Sequence, residues 1–421
     1  IETLHPIPND VWHQFAVTYD GTDTAIVYID GVVSNTVSSL DPPVANDRHF
    51  LIAAADERAP TDFYEGTIDE LRVWEIALSQ DQIRFIMNQE IEENVVLNNV
   101  TGRIIPTGIS KDPFATTDWD EVAAYFPMNI YTFTNVKDES NNNIIAAIRN
   151  LDTVDFQTAP LPYVSEADGN WTDTAAWENG TGFEIPFTPS IVDNTIDVAR
   201  NIVQIGHNVT TARNNTVLSL DIQSDELSIE NDSKIEVTHY LKLDGVLDLV
   251  GESQLVQTEN SDLDLTSTGF LEKDQQGTAD TYSYNIWSSP VSVINGTSIN
   301  GDYAVGNVMN DGTDPDNPSI MNFSGGLNGA PSSPITISSY WMFKYSNGLD
   351  QFQFIGPFGS VNVGEGYTMK GPGSGAITDP QNYVFIGKPN NSTTAEPIIV
   401  PAVANSNYIV GNPFPSALDA N

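Results

Sequence analysis

Carboxylates, amides and aromatic rings are the groups in this chain that could do chemistry, and their spacing separates hydrolysis, metal binding and recognition. Asp69-Glu70 is the first pair to weigh, because two carboxyl groups flanking a glycosidic bond can act as acid and nucleophile. Adjacent strand residues point to opposite faces, which favours a structural Asp69 bonded to loop backbone. The run Asn310-Asp311-Gly312-Thr313-Asp314-Pro315-Asp316-Asn317 alternates oxygen donors around a glycine, as a calcium loop does. It lacks the closing bidentate Glu, and its prolines suit an Asx-rich turn. The five histidines, His5, His13, His49, His207 and His239, show no helix-face metal spacing. No G-x-S-x-G elbow follows a strand, and with no cysteine there is no thiol nucleophile. The glycine-rich stretches at 325–326 and 371–375 precede no capped helix and read as loops. Recognition of a sugar needs an aromatic platform with polar groups at its edge, and Tyr19, Phe63 and Tyr64 border loops where one could form. The same rings could instead complete a core or its rim.

The elements that must position these residues are strands. Short alternating runs of Val, Ile, Thr, Tyr and Leu between Gly, Asn, Asp and Pro predict an all-β protein, and 421 residues suffice for three or more domains. Acidic residues outnumber basic ones by 57 to 16, and a net charge of −41 repels nucleic acid. Such acidity suits a saline extracellular setting, or serves solubility alone. Asn-x-Ser/Thr tripeptides such as Asn170-Trp171-Thr172 and Asn208-Val209-Thr210 read as chance in a chain rich in both residues. No apolar run is long enough to span a bilayer, so no membrane insertion is expected, and no signal peptide is seen. The chain opens on Ile1 and stops in mid-pattern at Asn421, as a fragment would.

Within residues 1–92, strands are predicted at 11–19, with Phe15, Val17 and Tyr19 on one face, at 25–30, at 50–54 and at 66–76. Asp20-Gly21-Thr22-Asp23 joins the first two as a hairpin. Ser79-Gln80-Asp81-Gln82 is a capping box for a short helix. This order, with Trp12, Asp30, Gly66 and Trp74, resembles the second half of a LamG-like jellyroll of the concanavalin A-like kind found in lectins, pentraxins and surface adhesion proteins. The missing first half would leave a free sheet edge. In the pentraxin branch, acidic or amide side chains after the third strand and before the following glycine hold calcium. The resemblance carries that role to Asp56, Glu57 and Asp62, the alternative being a solvated turn. The Glu-Asp-Glu spacing of retaining jellyroll glycosidases is not reproduced by Glu65, Asp69 and Glu70.

Residues 93–163 read as a mixed connector or small β domain. Across 164–274, after Gly169-Asn170-Trp171 and Trp177, apolar pairs recur about every six to nine residues, from Leu218/Leu220 through Leu227/Ile229, Ile235/Val237, Leu241/Leu243 and Leu247/Leu249 to Leu263/Leu265. Strands stacked as rungs of a β-solenoid fit that spacing, with a sandwich as the alternative. Residues 275–421 predict a terminal β-sandwich with Trp287, Trp341, Phe343, Phe352 and Phe354 as core candidates. Its opening Tyr282-Ser283-Tyr284-Asn285-Ile286-Trp287 and closing Gly411-Asn412-Pro413-Phe414 resemble the region before the sorting tail of surface proteins exported by the bacterial type IX route. The expectation is a secreted, non-catalytic protein of the bacterial surface or exterior, all-β and multidomain: a partial jellyroll β-sandwich followed by β-solenoid-like and β-sandwich-like units. Its partner would be a surface glycan or extracellular polysaccharide, with calcium as the candidate cofactor. The rival readings are an accessory region of a polysaccharide-degrading enzyme and a structural stalk.

Overall fold

Turn residues and alternating apolar runs produce strands nearly throughout the chain, and among the described residues the α-helices α1 (Gln80–Ile86) and α2 (Val305–Val308) are short. The computed structural model describes residues 2–44, 47–109, 111–129, 131–132, 134–149, 159, 161–178, 184–295, 299–346, 349–373, 375–394, 397–400 and 407–418.

The first unit begins with an antiparallel meander of β1 (Phe15–Tyr19), β2 (Ala25–Ile29) and β3 (Val32–Val37). Its first turn is tied by Asp20, whose Oδ1 accepts from the N–H groups of Thr22, Asp23 and Thr24 at 2.9, 3.0 and 3.0 Å. The second is Asp30-Gly31, with φ of 50° and 69°, the two positive values that a type I′ hairpin turn requires. That turn makes β3 the third strand, and residues 50–54 form none. Phe50, Leu51 and Ile52 are consecutive apolar residues without alternation, and all three are exposed. Phe15 and Val17 are exposed as well, so their shared face of β1 is uncovered.

β4 (Leu71–Trp74) leads to α1, whose capping box forms as its sequence predicts: Gln82 N–H donates to Ser79 Oγ and Ser79 N–H to Gln82 Oε1. The hairpin of β5 (Ile91–Asn94) and β6 (Asn99–Gly102) follows, and β7 (Val122–Phe126) returns to pair antiparallel with β4. A small antiparallel sheet of β8 (Tyr131–Thr132), β9 (Asn135–Lys137) and β10 (Ile145–Ala147) comes next.

From Tyr163 the pairing becomes parallel and the chain winds into a β-solenoid of about four turns. Its strands are β11 (Tyr163–Val164), β12 (Gly169–Asn170), β13 (Ile202–Ile205), β14 (Val209–Thr211), β15 (Asn215–Ile222), β16 (Glu226–Ile229), β17 (Lys234–Leu243), β18 (Val246–Leu249), β19 (Gln254–Gln257), β20 (Asp262–Leu263) and β21 (Phe270–Thr278). Odd-numbered strands from β11 to β19 form one sheet and β12, β14, β16, β18 and β21 another. Val203, Leu220, Leu241 and Leu263 stack in register, as do Val209, Leu227, Leu247 and Leu271, and all eight are buried. The corner between β17 and β18 stacks on its successor so closely that a Cβ on Gly269 would lie 2.0 Å from the Gly245 carbonyl oxygen. At the start of the solenoid Trp171 and Trp177 meet edge to face at 5.1 Å, Trp177 donating to the Trp171 carbonyl and Trp171 to that of Pro186.

A bulge at Val217/Ser219 turns Leu218 outward, against the pattern that paired it with Leu220. Leu218, Ile202 and Tyr240 join Phe85, Ile83, Phe114 and Tyr28 in one buried cluster, so the first unit rests on an outer face of the solenoid. Asn201 donates to Asn88 across this contact, and His239 stands edge-on to Phe85.

The terminal region comprises β22 (Tyr284–Trp287), β23 (Val291–Ser292), β24 (Met309–Asp311), β25 (Ser319–Ile320), β26 (Asn322–Ser324), β27 (Thr336–Ser338), β28 (Phe343–Ser346), β29 (Gln351–Phe354), β30 (Tyr367–Lys370) and β31 (Pro380–Pro389). β31 runs antiparallel along the whole of β21 from Leu271↔Gly387 to Thr278↔Pro380 and ends the parallel stack. A second sheet in the order β22-β30-β28-β29 shares its core, with Trp287 edge-on to Tyr383 and Phe385 of β31. Trp287 is buried there, whereas Phe352 and Phe354, expected inside, are exposed. They sit on the edge strand β29, where sequence alternation does not tell which face is covered.

Candidate functional site

The loop after β3 carries most of the predicted site residues. Ala55 and Thr61 exchange backbone hydrogen bonds at 2.9 and 3.0 Å, and Tyr64 N–H donates to the Ala53 carbonyl, closing a compact loop. Asp56, Glu57 and Asp62 all belong to it. Asp56 and Asp62 take positive φ values of 54° and 50°. Each carboxylate is already engaged: Asp56 accepts from Arg58 N–H and lies 3.9 Å from Arg48, Glu57 bonds the His49 ring and backbone, and Asp62 accepts from Thr61 Oγ1. The His49 bond, ahead of its backbone N–H, holds the Glu57 carboxyl below its usual range. Among the described residues no three acidic or histidine side chains converge on a point that could hold a metal ion.

Phe63 and Tyr64 stand on the same loop, 55% and 57% exposed. The Tyr64 ring lies over Gly66, where a Cβ would approach its Cζ to 2.6 Å, so the absent side chain lets the ring settle on the backbone. Tyr19 is placed apart in function: its hydroxyl donates to the Thr22 carbonyl at 2.6 Å and braces the β1–β2 turn. No ring contact joins it to Phe63 or Tyr64 among the described residues. Beside it, the three backbone donors on Asp20, those of Thr24 and Thr22 foremost, bring that carboxyl down to about 2.

Asp69 and Glu70 form a structural latch. Burial, then the Glu70 charge, pushes Asp69 up to about 6. Glu70 is raised by burial but is held by Arg72 at 2.5 Å and by the Tyr125 hydroxyl at 3.0 Å. Arg72 also donates to the Ile86 and Gln89 carbonyls, binding β4 to the end of α1. Its buried guanidinium was unmarked in the sequence, since the carbonyls it binds lie beyond β4 at the end of α1. A second such lock holds the β2–β3 turn: His13 Nδ1 and Asp30 Oδ2 are 2.8 Å apart. Burial by itself would lower the His13 pKa, and the Asp30 bond and charge, with Glu184, overcome it and raise it.

The run at 310–317 is an Asx turn. Asp311 spends Oδ1 on Thr313 and Oδ2 on Ile335 N–H, and Asp314 accepts from Asn317.

Residues 1–84 match the concanavalin A-like lectin/glucanases superfamily, which covers the meander, the aromatic loop, β4 and the start of α1. A lectin and glucanase fold points to carbohydrate as the class of ligand. No curated protein and no solved structure matches the chain. Among the described residues no helix is long and apolar enough to cross a membrane.

Proposed function

We propose that the chain is a non-catalytic extracellular glycan-binding or adhesion protein of the bacterial surface whose first unit contacts sugar through Phe63 and Tyr64. The observation that carries the reading is the pair of exposed rings on a hydrogen-bonded loop inside the segment that matches the lectin/glucanase superfamily. A pyranose stacks its C–H face on such rings, and the backbone and carboxylates of the loop lie beside them for its hydroxyls. Catalysis is not part of the proposal, because Glu70 is committed to Arg72 and Tyr125. Calcium assistance at Asp56, Glu57 and Asp62 belongs to it as a rearrangement in which the ion displaces Arg48 from Asp56 and His49 from Glu57.

A glycan array probed with the full chain, with and without EDTA, tests the proposal. Binding that is lost in Phe63→Ala/Tyr64→Ala supports it, and loss with EDTA supports the calcium step. Binding to no glycan, or equal binding by the double variant, would sink it.

A further inference from the structure

The strand β29, Gln351-Phe352-Gln353-Phe354, ends the sheet β22-β30-β28-β29, and all its residues are exposed. It pairs with β28 on one side, from Phe343↔Phe354 to Ser346↔Gln351, without a bulge. Ile355 N–H donates to the Met342 carbonyl at 3.0 Å, which continues that register by one hydrogen-bonded pair. Hydrogen-bonded and non-hydrogen-bonded pairs alternate along an antiparallel ladder, so Gln351 and Gln353 turn their backbone groups toward β28. Phe352 and Phe354 therefore turn theirs the other way, and no backbone bond among the described residues takes them up. Natural edge strands are commonly blunted by charge, proline or a bulge, and β29 has none of these. Outward amides and carbonyls in such a row are chemically specific for another extended strand.

We propose that β29 pairs antiparallel with β29 of a second copy of this chain, about a two-fold axis at Gln353. The strand is self-complementary in that register: Phe352 stands opposite the partner's Phe354, and each such pair exchanges both N–H···O bonds. The rings carry the choice of partner. Phe352 and Phe354 share one sheet face with Phe343 and Tyr345, at 6.4 and 5.7 Å from Phe343 and, for Phe352, 5.1 Å from Tyr345. Pairing about Gln353 continues the row Phe343, Phe354 into the partner's Phe352 and the partner's Tyr345, and the symmetry-related row does the same. A foreign strand gains backbone bonds and lacks those rows. Asp350, the carboxylate next to β29, would face glycine at position 356 of the partner, and it is already bonded by Tyr345 and Asn407. Strands this short bury less than the ~1,200 Å² of a stable interface, and copies of charge −41 repel one another, so association is weak and strengthens with salt.

Sedimentation velocity of the full chain over about 1–300 μM, in low and high salt, is the test. A shift from monomer toward dimer with concentration, larger in high salt, is expected. Phe352→Pro removes one outward N–H and one ring while leaving the bonds to β28, and should weaken the dimer at least about tenfold. Should that variant not fold, Gln353→Cys is the second probe in a chain with no cysteine of its own. A non-hydrogen-bonded antiparallel pair sets its Cα atoms about 4.5 Å apart, within reach of a disulfide, so mild oxidation should give a covalent dimer. Leu349→Cys, exposed in the adjoining turn, should not. A monomer at every concentration, a dimer unchanged by Phe352→Pro, or equal cross-linking of the two cysteine variants overturns the proposal.

Discussion

Parallel in-register stacking places Ser228, Asp248 and Glu272 side by side on the outer face of β16, β18 and β21, and two of the three are carboxylates. Burial, followed by the charges of Glu226, Glu272 and Asp274, pushes Asp248 up to about 7, and burial with Glu226 and Asp274 does the same to Glu272. Acids whose folded-state pKa is raised bind more protons in the folded than in the unfolded chain between about pH 4 and 7. Their contribution is therefore fully present below pH 4 and is lost as pH rises through 7. Shifts of this size correspond to about 3–4 kcal/mol each. The two groups repel one another, so that repulsion counts once, and solvent screening at partly exposed positions reduces the pair to about 2 kcal/mol. Asp248→Asn/Glu272→Gln keeps the shape and still accepts from Ser228 Oγ, which lies 3.3 Å from Asp248 Oδ2. Thermal unfolding at pH 5.5 and pH 8 is the assay. The natural chain should lose stability over that interval relative to the double variant, whose Tm at pH 8 should be higher by about 2–4 °C. His239, brought down to about 4 by burial, with Arg200 adding to it, has the opposite slope between about pH 4 and 6.5, but it is common to both proteins and cancels. Parallel pH dependences of the two proteins would refute the reasoning.

Three further outcomes are expected. Arg72→Met should cost about 3–5 kcal/mol by leaving Glu70 buried and unpaired, and Arg72→Met/Glu70→Gln should recover most of it; denaturant midpoints check both. Leu218→Asp should loosen the first unit from the solenoid, read as faster hydrogen exchange in α1 with the amides of β16 and β18 unchanged. Trp171→Ala should cost about 3–5 kcal/mol, since the ring is wholly buried at the start of the stack, and a fall in Tm with no change in the m-value is the check.

Where local chemistry decides the structure, the sequence was readable. The Asp20 turn, the Ser79 capping box and the apolar pairs Leu227/Ile229, Ile235/Val237, Leu241/Leu243 and Leu247/Leu249 depend on residues close together in the chain, and these formed, whereas Leu265 of the last pair is exposed. What escaped depends on partners distant in sequence. The run at 50–54 was apolar enough for a strand, but the Asp30-Gly31 turn had already delivered β3 to that sheet. Leu218 looked like a rung residue until a bulge turned it toward α1 and its neighbours. The rings of Phe63 and Tyr64 were visible as aromatics beside loops, whereas their exposure follows from the Ala55–Thr61 bridge, which no spacing announces. The open edge of β29 was hidden for the same reason: the order β22-β30-β28-β29 is set by pairings between strands distant in the chain.

The two ends of the solenoid are unlike each other: the Trp171–Trp177 pair packs at the start of its core, and at the far end β31 pairs along β21 in one of the two sheets. In that sheet the edge that a parallel strand of a neighbouring molecule would extend is already taken by β31. One more coil inserted between β14 and β21 would lengthen the stack by a single strand spacing, about 4.8 Å, and leave both ends untouched. The distance between the aromatic loop and the edge strand β29 could thus be tuned in fixed steps, like a ruler graduated in coils.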